Sequence, residues 1–126
     1  MAADEFMSDP RTETGRSLGA EVSTRMVQLL RDYTGRGPTK ARTYVHEDLI
    51  VCVLRDNLSK AEHAIAEHIG VEAVLAQRKA FQNALRDEAV AIIEELTGRS
   101  VSAFMSDNHV QPDVAIEAFL LEHRAA

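Results

Sequence analysis

Residues 35–42 read Gly35-Arg36-Gly37-Pro38-Thr39-Lys40-Ala41-Arg42, with three cations in seven residues and no acid among them. Glycines can adopt left-handed backbone conformations, so Gly35 and Gly37 can turn successive N–H groups toward one point. Arg36, Lys40 and Arg42 would surround that point with positive charge. Such a concavity supports capture of a carboxylate, phosphate or bicarbonate. It is not a nucleotide P-loop, which needs four residues between its first glycine and the Gly-Lys-Ser/Thr, and a strand before it. The competing interpretation is a solvated helix-to-strand turn whose cations complement the preceding helix C-terminus.

Two further places carry residue types that could do chemistry. In Met105-Ser106-Asp107-Asn108-His109, an Asp and a His two apart could share a metal or act as a base and its orienter. No third ligand stands at a supporting spacing, and Asp107, Asn108 and His109 equally suit a turn. Arg78 falls within an apolar helical stripe, where a cation must be paired or must snorkel. Glu88 is ten residues along, ~15 Å by helix rise, so a carboxylate partner must come from another element. Asp56 and Glu117 are the first acids to consider. Glu62, Glu67 and Glu72 read as a solvated face, and His46, His63, His68 and His123 as scattered surface residues. These residues compose no catalytic set, no metal site and no cofactor motif.

The elements that position these groups follow from periodicity. Residues 1–16 mix acids, Ser, Thr, Gly and Pro without a repeat, and are expected to form a disordered tail before a single domain over 17–123. Val22, Met26, Leu29, Leu30 and Tyr33 recur at helical steps, and Gly35 stops that helix. Residues 41–47 alternate weakly, and residues 49–55 are apolar on both faces, as in a central covered strand. A short helix is expected over residues 60–68, capped by Asn57 or Ser59, with Ala61, Ala64 and Ile65 inward. A long one follows over 71–97 with Val71, Val74, Phe81, Leu85, Ala89, Ile92 and Leu96 on one sector. Strands are expected at 101–106 and 114–121, with a turn at 107–109. The stretches 27–36 and 90–99 echo each other at an offset of 63 residues, both ending in Thr-Gly-Arg. The order is αββ, a connecting helix, then αββ, which gives an α+β two-layer sandwich with a four-stranded, mainly antiparallel sheet.

Composition narrows the function classes. A net charge of −6 argues against nucleic-acid binding, which needs a broad cationic field. The lone Cys52 sits in an apolar run and reads as a buried thiol. The longest apolar run falls far short of the ~20 residues of a membrane helix. An acidic, polar start does not resemble a signal peptide, so a cytoplasmic location is expected. Residues 49–54 are apolar on both faces, which a sheet covered on one side does not explain. Either the long helix crosses the second face or a second copy covers it in a homodimer.

The ordered series formed by residues 35–42, Leu54-Arg55-Asp56, Leu58-Ser59-Lys60-Ala61-Glu62, Arg78-Lys79-Ala80-Phe81, Leu96-Thr97-Gly98-Arg99, 104–109 and Pro112-Asp113 resembles the MpsC-like family. The likeness spans about residues 18–121. Its founding member is the soluble C component of a sodium-translocating system that generates membrane potential. The resemblance implies a non-enzymatic accessory or regulatory protein, held at the membrane through a membrane protein subunit of a cation-translocating or inorganic-carbon uptake system. It supplies no catalytic residues. The alternative reading, a small-anion sensor or enzyme, would use the basic turn at 35–42, with Arg78 and residues 107–109 as further contacts.

Overall fold

A computed structural model of the chain describes residues 17–123. The expected tail at 1–16 lies outside the described residues. Helix α1 spans Leu18–Thr34, strand β1 Lys40–His46, strand β2 Leu49–Arg55, helix α2 Lys60–His68, helix α3 Val71–Thr97, strand β3 Val101–His109 and strand β4 Val114–Leu121. The strands lie in the order β1-β2-β4-β3, each antiparallel to its neighbour. This is the α+β arrangement that the periodicity predicts, long helix included.

Both long helices cover the same face of the sheet. The stripe Val22, Met26, Leu29 and Leu30 of α1 and Leu85, Ala89 and Ile93 of α3 bury against Ile50, Cys52, Leu54, Phe104, Ala115 and Phe119. Ser23 and Thr43 share a hydrogen bond of 2.8 Å that ties α1 to β1. A smaller cluster of Leu58, Val74 and Val110, with Ile65 and Ala66 against it, seats α2 on the first half of α3. The opposite face of the sheet is covered by no described element, so α3 does not cross it.

Three sequence expectations are corrected in detail. Strand β3 continues through Asp107, Asn108 and His109, and the turn falls after them. Those residues alternate on the strand, Asn108 inward and the other two outward, rather than forming the turn that their side chains suggest. On α2 the inward residues are Glu62, Ile65 and Ala66, while Ala61 and Ala64 are exposed. On α3 the buried sector runs through Val74, Arg78, Gln82, Leu85, Ala89 and Ile93, and Val71 is exposed.

The two halves match in their bonding as well as in their order. Gly35 and Gly98 close α1 and α3 in the left-handed conformation. Thr34 and Thr97 each donate to the carbonyl four residues back and accept from the N–H of the arginine two residues on. Arg36 then reaches the carbonyl of the residue following β2, and Arg99 that of the residue following β4. The Asp56 N–H meets the Asp113 carbonyl, and the Leu121 N–H meets the Asp48 carbonyl. A pseudo-two-fold axis between β2 and β4 relates these contacts.

Candidate functional site at one end of the sheet

The register of the strands gathers the candidate residues at one end of the sheet. Lys40 pairs with Arg55, Arg55 with Val114, and Val114 with His109. The basic turn, the turn after β2 and the turn between β3 and β4 therefore meet there.

At the centre is the chain at 56–59, and all of its backbone groups are engaged. The Arg36 guanidinium donates to the carbonyls of Asp56 at 2.7 Å and Leu58 at 3.1 Å. Arg78 donates to the Asn57 carbonyl at 2.9 Å. The Asp113 carboxylate accepts the N–H groups of Asn57 and Leu58, each at 3.0 Å, and its Oδ2 lies 3.2 Å from His63 Nε2. Glu62 accepts the Ser59 N–H at 2.8 Å and Ser59 accepts that of Glu62, a capping box that opens α2. The Ser59 carbonyl accepts the His63 N–H, and the Asp56 N–H meets the Asp113 carbonyl. Thr39 donates to the Asp56 carboxylate at 2.9 Å. Asp56 holds φ at 54°, a strained value for a residue with a Cβ, and this network over-determines it.

The Arg78 side chain is paired rather than snorkelling. Its Nε meets Glu62 Oε2 at 2.9 Å and its Nη2 meets Glu62 Oε1 at 2.6 Å, with both side chains less than a tenth exposed. Burial works to raise the Glu62 carboxyl, but the Arg78 guanidinium and the Ser59 N–H together hold it below the usual range. The partner is thus neither Asp56 nor Glu117. Glu62 is the acid that the charge pattern assigned to a solvated face. The available signal was the capping box Ser59-x-x-Glu62, which fixes the Glu62 carboxylate over the start of α2 and toward α3.

The concave N–H nest expected at 35–37 is occupied from within. The Gly35 N–H donates to the Arg31 carbonyl, and those of Arg36 and Gly37 to Thr34 Oγ1. Gly37 is buried with φ at 73°, and a Cβ there would sit 3.2 Å from the Arg31 Cβ. Lys40 is exposed, and Arg42 donates to the Tyr44 hydroxyl on the uncovered face. Asp107 Oδ1 accepts the Asn108 N–H, and the Asn108 side chain faces Asn57 Nδ2 at 3.5 Å. His109 Nδ1 lies 2.9 Å from the Pro112 carbonyl. Asp107 and His109 therefore do not act on one another. Among the described residues, no three His, Cys, Asp or Glu side chains converge as a metal site would require.

The helix-covered face of the sheet also buries a carboxyl group. Glu117 is buried on the helix-covered face of β4, opposite Cys52 and Ser106, and its Oε1 has no hydrogen-bond partner. Burial pushes its carboxyl up to about 7; the Ser106 hydroxyl beside it opposes that shift but, with no hydrogen-bond partner of its own, does not cap the carboxyl. Gln82 Nε2 on α3 and Asn57 Oδ1 are likewise buried and unpartnered.

Residues 11–123 match the family described as Na+-translocating membrane potential-generating system (MpsC). Two proteins of Bacillus subtilis (strain 168) are similar. The uncharacterized protein YbcI is 27% identical over 92 residues, covering 72% of this chain and 74% of its own length. The uncharacterized protein YrhF is 28% identical over 99 residues, covering 77% and 81%. No solved structure matches the chain at a significant level. No helix among the described residues is long and apolar enough to cross a membrane.

Proposed function

The chain belongs to the MpsC family, and on that premise we propose that it is a non-enzymatic accessory protein of a membrane system that moves cations, acting by docking to a membrane subunit. The observation that supports this reading is the network at 56–59. The arginines and acids that could have served as reactive groups, Arg36, Arg78, Glu62 and Asp113, instead hold one turn rigid. A stiffened surface with exposed Lys40 and His109 at its edge suits recognition of a partner, because little side-chain freedom remains to be lost on binding. Affinity purification of the tagged chain from detergent-solubilised native membranes tests it. A polytopic membrane protein should be enriched over an untagged control, and a profile of soluble proteins alone would contradict the reading.

A second reading rests on the row Lys40, Arg55 and His109 at the same sheet end, three basic side chains on one face. That row suits a small anion such as phosphate or bicarbonate. Anion binding should raise the melting temperature with concentration, and Arg55→Ala should abolish the rise. An unchanged melting temperature across the series removes this reading.

A further inference from the structure

The uncovered face of the sheet is a four-by-four array whose rows follow from the pairing register. From β1 across to β3 the rows are Lys40, Arg55, Val114, His109; then Arg42, Val53, Ile116, Asp107; then Tyr44, Val51, Ala118, Met105; and last His46, Leu49, Leu120, Ala103. The two central columns are aliphatic over the last three rows. Leu49, Ile116 and Leu120 are each about two-fifths exposed, and Met105 is 56% exposed. A sheet face of this composition is incomplete in water, where burying apolar surface is favourable.

We propose that a second copy of this chain covers the face, related by a two-fold axis that lies between the sheets and runs parallel to the strands. The charges select this arrangement. Such an axis exchanges the β1 and β3 edges while keeping each row level, so Arg42 of each copy meets Asp107 of the other. Tyr44 then meets Met105, a sulfur–aromatic contact. The aliphatic columns of β2 and β4 stack at the centre. A two-fold axis across the strands would instead set Asp107 against Met105 and Arg55 against Leu49, leaving the acid unpaired. The ~30° rotation between packed, twisted sheets shifts the edge columns by only ~4 Å, within the reach of an arginine. Lys40, Arg55 and His109 fall at the solvated rim.

The footprint is modest. Four strands ~4.8 Å apart and about seven residues long give roughly 450 Å² in projection per copy, near the low end for specific association. The dimer is therefore expected to dissociate in the micromolar range. This inference is separable from the membrane partner, since the aliphatic centre of the face lies away from the turn at 56–59 and only its rim, at Lys40 and His109, borders that docking edge.

Sedimentation equilibrium of the full chain tests it. Wild type should shift from 13.9 kDa toward twice that mass as concentration rises through the micromolar range. Ile116→Lys, at an exposed central position, should remain at the monomer mass. Arg42→Glu alone sets two acids together, and Asp107→Arg alone sets two arginines together, so each should also be monomeric. Mixed in equal amounts, these two variants regain both pairs and should form a heterodimer, which also shows that each is folded. A wild type that stays monomeric to ~100 μM would overturn the proposal, whether the face stays bare or residues 1–16 cover it. So would an Ile116→Lys dimer, or a mixture of charge variants that fails to associate.

Discussion

Burying a guanidinium without a partner costs several kcal/mol, and Arg78 is 3% exposed, so its pairing decides the local architecture. Glu62 on α2 supplies the carboxylate, and the same two groups hold the Ser59 N–H and the Asn57 carbonyl. Arg78→Ala leaves the Glu62 carboxylate desolvated and should lower stability by about 3–5 kcal/mol, read as a fall in the urea midpoint. A change under ~1 kcal/mol would mean that the pair contributes as an exposed one does. Glu117 makes the opposite demand on pH. Its folded carboxyl is raised from 4.5 to about 7, so the folded state binds the extra proton between those values. The stability this proton confers is fully present below pH 4.5 and is lost as pH rises through about 7. Urea midpoints should therefore fall from pH 5 to pH 8 in wild type, and Glu117→Gln should flatten that slope. A variant slope equal to wild type would contradict the assignment. The sequence announced Arg78 as a cation on an apolar stripe, because helical periodicity places it. Glu62 was visible only as the acid of the capping box Ser59-x-x-Glu62, because its pairing with Arg78 depends on how α2 and α3 cross.

At the scale of elements, the Thr-Gly-Arg helix ends were legible because their chemistry is local. A threonine returns a hydrogen bond to its own helix, a glycine takes the left-handed conformation, and the arginine reaches the strand end beyond. Gly35, Gly37 and Gly98 all have positive φ, yet only Gly37 faces close neighbours. Gly98→Ala should cost about 1–2 kcal/mol for the conformation alone. Gly37→Ala should cost more, because its Cβ would also press on Arg31 Cβ at 3.2 Å and the Val27 carbonyl at 3.3 Å. Equal urea midpoints for the two variants would show that the packing around Gly37 yields freely. Strand β3 was the less legible element. Asp107, Asn108 and His109 have turn-forming side chains, but pairing with Ile116, Ala115 and Val114 carries the strand through them. Tertiary pairing overrode local propensity there.

The described residues form two αββ halves about a pseudo-two-fold axis, joined by α2, and among them helices cover one face of the sheet. Residues 49–55, apolar on both faces, pointed instead to a strand covered on both sides; the two halves were readable from the repeat at 63 residues. What covers the second face was not, because period-two patterning records that a face is apolar without recording its occupant. Docking to a membrane subunit is the central functional claim, and binding to native membrane vesicles tests it most directly. Purified chain should co-sediment saturably with such vesicles and lose that binding when they are first stripped with protease. No co-sedimentation, or equal binding to protein-free liposomes, would contradict it.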